Sequence, residues 1–320
     1  MRPTYRATAM LVVVAAVVLS TAGCRPSPAA PTAAPTAPAA TSPQYPVTIP
    51  DDGDTPVTLQ AEPQRIISLA PSHTEILFAL GLGDRVAGVT TFCDYPPEAR
   101  DKPKVGEFAQ VDLEKIVGLN PDLVLASSLQ SQSVVPALRE RGLAVAVLEA
   151  TSVESTLEKI TTIGRYTGRV RPAEALVQDI RTRLDAVSAK LARAARKPRV
   201  FWELGPDLYT GGKDSFVDGL ITLAGGENVG RAMPGEWPQF NLEALVAADP
   251  EVIVLADHGF GESAATVRAR PGWSGIAAVR EGRIVEVEDV NIISRPGPRV
   301  VEAVEYIARA LHPELFKEGN

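Results

Sequence analysis

The sequence is poor in the residues that carry metal and covalent chemistry. Its three histidines, at 73, 258 and 312, lie far apart and form no zinc-type pair. Two cysteines, Cys24 and Cys93, permit at most one disulfide, which excludes a disulfide scaffold. There is no Lys/Arg block and the net charge is −7, which excludes binding to nucleic acid through its phosphates. Phosphate-cradling loops are also missing. Gly81-Leu82-Gly83 follows a helical stretch and has Val86 where a third glycine belongs. In Gly211-Gly212-Lys213-Asp214, Asp214 and Asp207 replace the Ser/Thr and the first glycine of a P-loop. No Gly-x-Ser-x-Gly nucleophile elbow occurs. Nor is any apolar run long enough to cross a bilayer. The longest, Ala7 to Leu19, would span roughly 20 Å as a helix, against the ~30 Å of a hydrocarbon core.

What is present is a globular balance, 45% hydrophobic and 22% charged over 320 residues, enough for two lobes of ordinary size. Arg2 and Arg6, the apolar run and Ser20-Thr21-Ala22-Gly23 have the layout of a secretory signal over residues 1–23. The small residues ending in Cys24 resemble a bacterial lipoprotein processing site, where Cys24 would carry the lipid. Ordinary cleavage near Ala22 is the other reading, and it leaves Cys24 unexplained. Loss of Arg2 and Arg6 would make the mature chain still more acidic. Residues 24–46 read as a spacer. Arg25 to Pro46 holds seven Pro, seven Ala and five Ser/Thr, which cannot build a core and favour extended conformers reaching about 70 Å. With Cys24 lipidated, Cys93 is a free thiol.

From Val47 the pattern becomes that of a folded body. Val47 to Leu59 reads as a hairpin turning at Asp51-Asp52-Gly53-Asp54. Strands are expected at Ile66–Leu69, Val86–Val89, Leu123–Ala126, Ala144–Leu148, Val200–Leu204, Val252–Ala256 and Ile284–Val287. Helical stretches such as Thr74–Leu80, Val134–Arg141 and Val153–Tyr166 alternate with them, which argues for α/β lobes built on parallel sheets. Residues 171–197 break the rhythm. Leu176, Ile180, Leu184, Val187 and Leu191 recur at helical spacing, with no glycine and Pro172 near the start. The stretch is either one more surface helix or a connector between an N-terminal lobe, residues 47–170, and a C-terminal lobe, residues 198–320.

An internal repeat carries most information. Gly106-Glu-Phe-Ala-Gln-Val-Asp-Leu-Glu114 recurs as Gly235-Glu-Trp-Pro-Gln-Phe-Asn-Leu-Glu243, at a constant offset of 129 that continues to Pro121 and Pro250. Two copies imply two equivalent lobes. Asp112 and Asn241 are good N-caps, which puts Glu114 and Glu243 in a first helical turn, where a carboxylate is favoured. Phe108 and Trp237 fall on the loops entering those helices. Such loops lie where α/β sheets bind ligands, so the two rings either cover a flat ligand from both sides or make a buried contact in each lobe.

The run Arg65-Ile-Ile-Ser-Leu-Ala-Pro-Ser-His-Thr-Glu-Ile-Leu-Phe-Ala-Leu-Gly81, followed by Gly83-Asp-Arg-Val-Ala-Gly-Val-Thr90, closely resembles the opening of class III substrate-binding proteins of ABC importers. Cys93-Asp-Tyr-Pro-Pro-Glu-Ala99, Tyr209-Thr-Gly-Gly-Lys213, Gly225-Gly-Glu-Asn228 and Trp237-Pro-Gln239 look like its vitamin B12-binding branch. The resemblance covers roughly residues 47–316. It implies two Rossmann-like lobes joined by one long helix, with the ligand in the cleft between them. It also implies that Glu114 and Glu243 dock, one per lobe, onto arginines of a two-fold permease. Trp237 matches an aromatic that packs on the corrin, and Arg295 a pocket arginine. Phe108 stands where the B12 proteins carry Trp, Phe92 where they carry Tyr, and Ser127 and Ser128 where another Trp is expected.

Further residues have two readings each. His73 would be an axial ligand to iron or cobalt, or a loop histidine bonded to backbone. Tyr95 would ligate iron or pack, Cys93 would be a soft ligand or a buried thiol, and Asp257 and His258 would line the cleft or not. Tyr209 is placed on the cleft rim. The overall expectation is a monomeric, lipid-anchored solute-binding protein with no catalytic residues and no resident cofactor. It would deliver a corrinoid, foremost cobalamin, to an importer. The alternatives are the same fold with haem or a ferric siderophore and, remotely, a chelatase-like enzyme with a convergent His/Glu cluster.

Overall fold

The structure, a computed structural model, describes residues 44–108 and 110–317. The leader, Cys24 and all but the last three residues of the expected spacer lie outside the described residues. Those last three belong to the body: the Tyr45 hydroxyl donates to the Tyr166 carbonyl oxygen at 2.9 Å, and its ring packs on the core. Strands β1 (Val47–Pro50) and β2 (Pro56–Leu59) pair antiparallel, with Val47 opposite Leu59. Asp51 closes the hairpin by accepting from the backbone N–H groups of Gly53 and Thr55, each at 3.0 Å.

Two α/β lobes follow. The first runs β3 (Ile66–Ser68), α1 (Pro71–Ala79), β4 (Val86–Val89), α2 (Leu113–Gly118), β5 (Leu123–Ala126), α3 (Val134–Glu140), β6 (Val145–Val147) and α4 (Val153–Tyr166). Helix α5 (Val170–Leu191) connects it to the second lobe. That lobe comprises β7 (Arg199–Glu203), α6 (Phe216–Leu223), β8 (Glu227–Asn228), α7 (Leu242–Ala248), β9 (Val252–Leu255), α8 (Ala264–Ala269), α9 (Ala277–Arg280), β10 (Ile284–Glu286), α10 (Val290–Ser294) and α11 (Val300–Leu311). The sheets are wholly parallel, ordered β4-β3-β5-β6 and β8-β7-β9-β10. The two lobes therefore share one topology, and the repeated segment is the same crossover, α2 or α7, in each.

The repeat's glycine has a local reason. Gly106 sits at φ +121°, and a Cβ there would lie 2.4 Å from the Gln110 carbonyl oxygen, so only glycine fits. Asp112 accepts from the Lys115 N–H at 2.9 Å and Asn241 from that of Ala244 at 2.8 Å, capping α2 and α7. One strand, β8, had no signal: it is two polar residues long.

Successive side chains along the strands turn to opposite faces of the sheet, and both faces are buried. Ile66, Leu123, Leu125 and Ala146 face one side of the first sheet, while Ile67, Val124, Ala126, Val145 and Val147 face the other. In the second, Val200, Trp202, Val252 and Val254 oppose Phe201, Ile253 and Leu255. The first set in each lobe joins a single cluster that runs through α5, where Ala173, Ile180 and Val187 are buried and Leu176, Leu184 and Leu191 flank them. The connecting helix is thus the middle of one core. It is also shorter than the 171–197 pattern, at about 33 Å. Residues 192–198 leave the helix for a short link into β7.

A second tie crosses between the lobes. Glu75, on α1, is 3% exposed. Its carboxylate accepts from Arg299 of the second lobe at 3.0 and 2.9 Å and from Arg295 at 3.1 Å. Arg295 also pairs with Asp94 at 2.7 Å, and Arg299 with Asp289 at 2.7 Å. The Arg299 guanidinium stacks over the Tyr95 ring, 3.9 Å from its centroid. Removing one partner of a buried pair leaves uncompensated charge. Glu75→Gln is therefore expected to lower unfolding free energy by about 3–5 kcal/mol in urea melts. Arg309→Ala, which removes an exposed pair with Glu305, should change it by less than about 1 kcal/mol.

Candidate ligand-binding cleft

Because every strand in each sheet is parallel, the carboxyl-end loops of a lobe gather along one edge. Most of the large apolar side chains that remain exposed lie on these loops, Val117, Leu223 and Val246 on helices being the others. Phe92 follows β4, Leu129 follows β5, Leu204 and Tyr209 follow β7, Trp237 follows β8 and Phe260 follows β9. Leaving such groups in water forgoes about 1.5–3 kcal/mol each, so a cluster on one edge marks a surface that something covers.

A cavity of about 260 Å³ opens between the lobes. Pro71, Ser72, Phe92 and Phe108 line it from the first lobe, and Asn291, Ser294, Arg295 and Pro296 from the second. The Phe92 and Phe108 rings meet edge to face, 6.0 Å between centroids. Both are held through their carbonyls. Arg295 donates to the Phe92 oxygen at 3.1 Å, and the buried Gln130 amide to that of Phe108 at 2.6 Å. Ser127, where a pocket Trp was expected, instead caps a turn: its N–H and hydroxyl both donate to Gln130 Oε1. A larger cavity of about 570 Å³ lies against α5, lined by Phe78, Tyr95, Leu176, Asp179, Arg183 and Arg299. Its rim is charged and it holds none of the duplicated-loop aromatics, so volume alone does not identify the site.

Trp237 and Tyr209 form a separate rim on the second lobe, 49% and 40% exposed. Their loops are laced together. Thr210 donates to the Pro238 oxygen and Phe240 to that of Leu208, both at 3.0 Å. Trp237 makes no ring–ring contact among the described residues and does not line the 260 Å³ cavity. Glu114 and Glu243 stand exposed in the first turns of α2 and α7. The partner of Glu114 is a distant Arg141 at 3.8 Å.

His73 requires a correction. Helix α1 begins at Pro71, earlier than the sequence pattern indicated, which places His73 in its buried first turn. Its Nε2 lies 3.1 Å from the Leu148 carbonyl oxygen, and Nδ1 has no partner. It does not open into the cleft as an axial ligand. The Tyr95 ring carries the Arg299 guanidinium on one face yet stays 42% exposed and lines the 570 Å³ cavity, and Cys93 is a buried free thiol beside Thr74 and Thr90. His258 Nδ1 faces the Glu262 oxygen at 3.2 Å, and Asp257 is buried with both carboxylate oxygens unpartnered. Burial, with the charge of Glu262 adding to it, raises the Asp257 pKa. Among the described residues, no group of three or more His, Cys, Asp or Glu side chains is disposed to hold a metal ion.

Sequence reasoning missed Glu75, and in the loop after β9 it weighed Asp257 and His258 but not Phe260. The signal for Glu75 was available: an acid running straight into the apolar Ile76-Leu77-Phe78 needs a buried cation.

Burial lowers the His73 pKa to about 4 from an ordinary 6.5. The unfolded chain then binds a proton between those values that the native state refuses. The stability this residue supports is present above pH 6.5 and is lost as pH falls toward 4. His73→Gln is expected to flatten that part of the pH–stability curve, worth on the order of 3 kcal/mol at its acid end, in melts between pH 4 and 7.

The geometry agrees with comparison to known proteins. Residues 66–290 match the model of the family described as periplasmic binding protein. An ABC transporter substrate-binding lipoprotein of Bacillus subtilis is 38% identical over 86% of this chain and 88% of its own length. A cobalamin-binding protein of Halobacterium salinarum is 36% identical over 84% and 74%. The haem-binding protein of Roseiflexus sp. RS-1, solved in its apo form, superposes with a TM-score of 0.71. It is 28% identical, covering 79% of this chain and 99% of that one. These relatives bind substrates for transport and are not enzymes. Two like lobes around an aromatic cleft, one helix joining them and the match over residues 66–290 together make this chain a member of the periplasmic binding protein family, a substrate-binding protein of ABC importers.

Proposed function

We propose that the protein captures a corrinoid, foremost cobalamin, outside the cytoplasm and hands it to its importer while tethered by a lipid on Cys24. One observation carries the ligand reading. Aromatic rings stand on the carboxyl-end loops of both lobes, the half-buried Phe108 against the exposed Phe92 in the first and the exposed Trp237 and Tyr209 in the second, with Arg295 at the lobe junction as the polar handle. Such a site holds a large, mostly apolar ring by area and orients it with few polar groups. The cobalamin-binding name of the Halobacterium relative supports the corrinoid. The burial of His73 keeps its imidazole from a haem iron, which weighs against haem held by that residue. Haem remains the second reading, favoured by the likeness to the Roseiflexus protein.

The handover follows from the repeat. Glu114 and Glu243 occupy the same turn of the same helix in two lobes of one topology, and both project into solvent. A two-fold permease with paired arginines would meet both acids.

Calorimetric titration of the purified protein with cyanocobalamin, then with haemin, tests the ligand. Tight one-to-one binding of cobalamin is expected. Heat with haemin alone would replace the corrinoid by haem. Glu114→Ala with Glu243→Ala is expected to leave cobalamin affinity unchanged within about twofold and to abolish uptake in cells. Weakened ligand binding by the double variant would mean that these acids face the ligand.

A further inference from the structure

Phe260 is the most exposed large apolar side chain among the described residues, at 80%. It sits between Gly259, at φ +86°, and Gly261, at φ +106°. A Cβ on either glycine would meet nothing within 4 Å, so these glycines serve backbone freedom and not close packing. The segment Asp257–Glu262 is the connection leaving β9. In the sheet, β9 lies between β10 and β7, all parallel. The loop therefore stands between the connection that carries Arg295 and the one that carries Tyr209. The equivalent loop of the first lobe, after β5, carries the exposed Leu129.

The loop has a fixed base and a free tip. Arg270 holds the buried Glu203 carboxylate at 2.8 and 2.7 Å and Glu262 at 2.7 Å. The backbone of Phe260 makes one turn bond, its N–H donating to the Asp257 oxygen at 3.0 Å. The Asp257 carboxyl is buried beside that of Glu203 and so belongs to the base. The cleft also lacks a wall. Its cavity of about 260 Å³ is bounded by the connections after β3, β4 and β10, and falls below the roughly 300–1,000 Å³ of enclosed small-molecule sites.

We propose that Asp257–Glu262 is an aromatic lid whose Phe260 ring closes on the exposed face of the bound ligand, which makes Phe260 a ligand-contact residue. The inference rests on the ligand reading above and deepens it. A single ring hinged on two glycines suits the broad face of a macrocycle, and not a compact anion such as an oxyanion or a small hydrophilic chelate. Closure after capture acts on release, so the dissociation rate is the quantity that reports it.

Stopped-flow displacement of cyanocobalamin, and separately of haemin, from the purified full-length protein tests the lid. Phe260→Ala is expected to raise the dissociation rate of the probe that the parent binds by roughly tenfold, with association changed by less than about twofold. Phe260→Leu keeps apolar area without a flat ring and should fall between. Phe260 makes no core contact, so its variants should melt with the parent, which separates lid loss from misfolding. A dissociation rate for Phe260→Ala within about twofold of the parent would overturn the lid and leave the ligand reading standing. Binding of neither probe by the parent would overturn the ligand reading, and the lid with it.

Discussion

The buried Glu75 carboxylate, shared by Arg295 and Arg299 of the opposite lobe, is the interaction on which the arrangement of the cleft depends. Without partners the acid would not tolerate burial, and without the acid two arginines would crowd one another at the lobe junction. The same Arg295 that satisfies Glu75 holds the Phe92 carbonyl and lines the cavity. The electrostatic tie and the ligand wall are therefore one piece of structure. A change that loosens the lobes also displaces a ring.

The continuous core adds to that stiffness. Helix α5 is buried along Ala173, Ile180 and Val187 among side chains from both lobes. Separating the lobes widely would expose this face to water, at about 25 cal/mol per Å² of apolar surface. Movement that costs little must come from loops. The carboxyl-end connections fit that role, because their ends are anchored in parallel strands while their tips carry exposed rings.

Duplication governs the outer surface as well. Some identities at offset 129 have packing reasons: Gly106 permits a backbone geometry, and Leu113 packs on the core. For Glu114 and Glu243 the local reason is the helix dipole, which favours an acid in the first turn. They make no ion pair shorter than 3.8 Å, and each cap is already supplied by Asp112 or Asn241.

The sequence by itself determined the lobes, the repeat and the position of the capped acids. These follow from local rules: period-two and 3.6-residue patterns, cap residues and a constant offset, all expressed within a few neighbouring residues. It also marked the loops that bear Phe92, Phe108, Trp237 and Tyr209. Only the tertiary structure decided which side chains meet. His73 was legible as a candidate ligand from its place after a strand, yet the start of α1 at Pro71 turned it into the core. Glu75 and Arg299 are 224 residues apart, and no local pattern pairs them. Phe260 stood between two glycines in plain view, but its meaning depended on the order of parallel strands that sets its loop between those of Arg295 and Tyr209. Local sequence fixes which elements form. Contacts between distant residues depend on how those elements pack, and the cleft is made of such contacts.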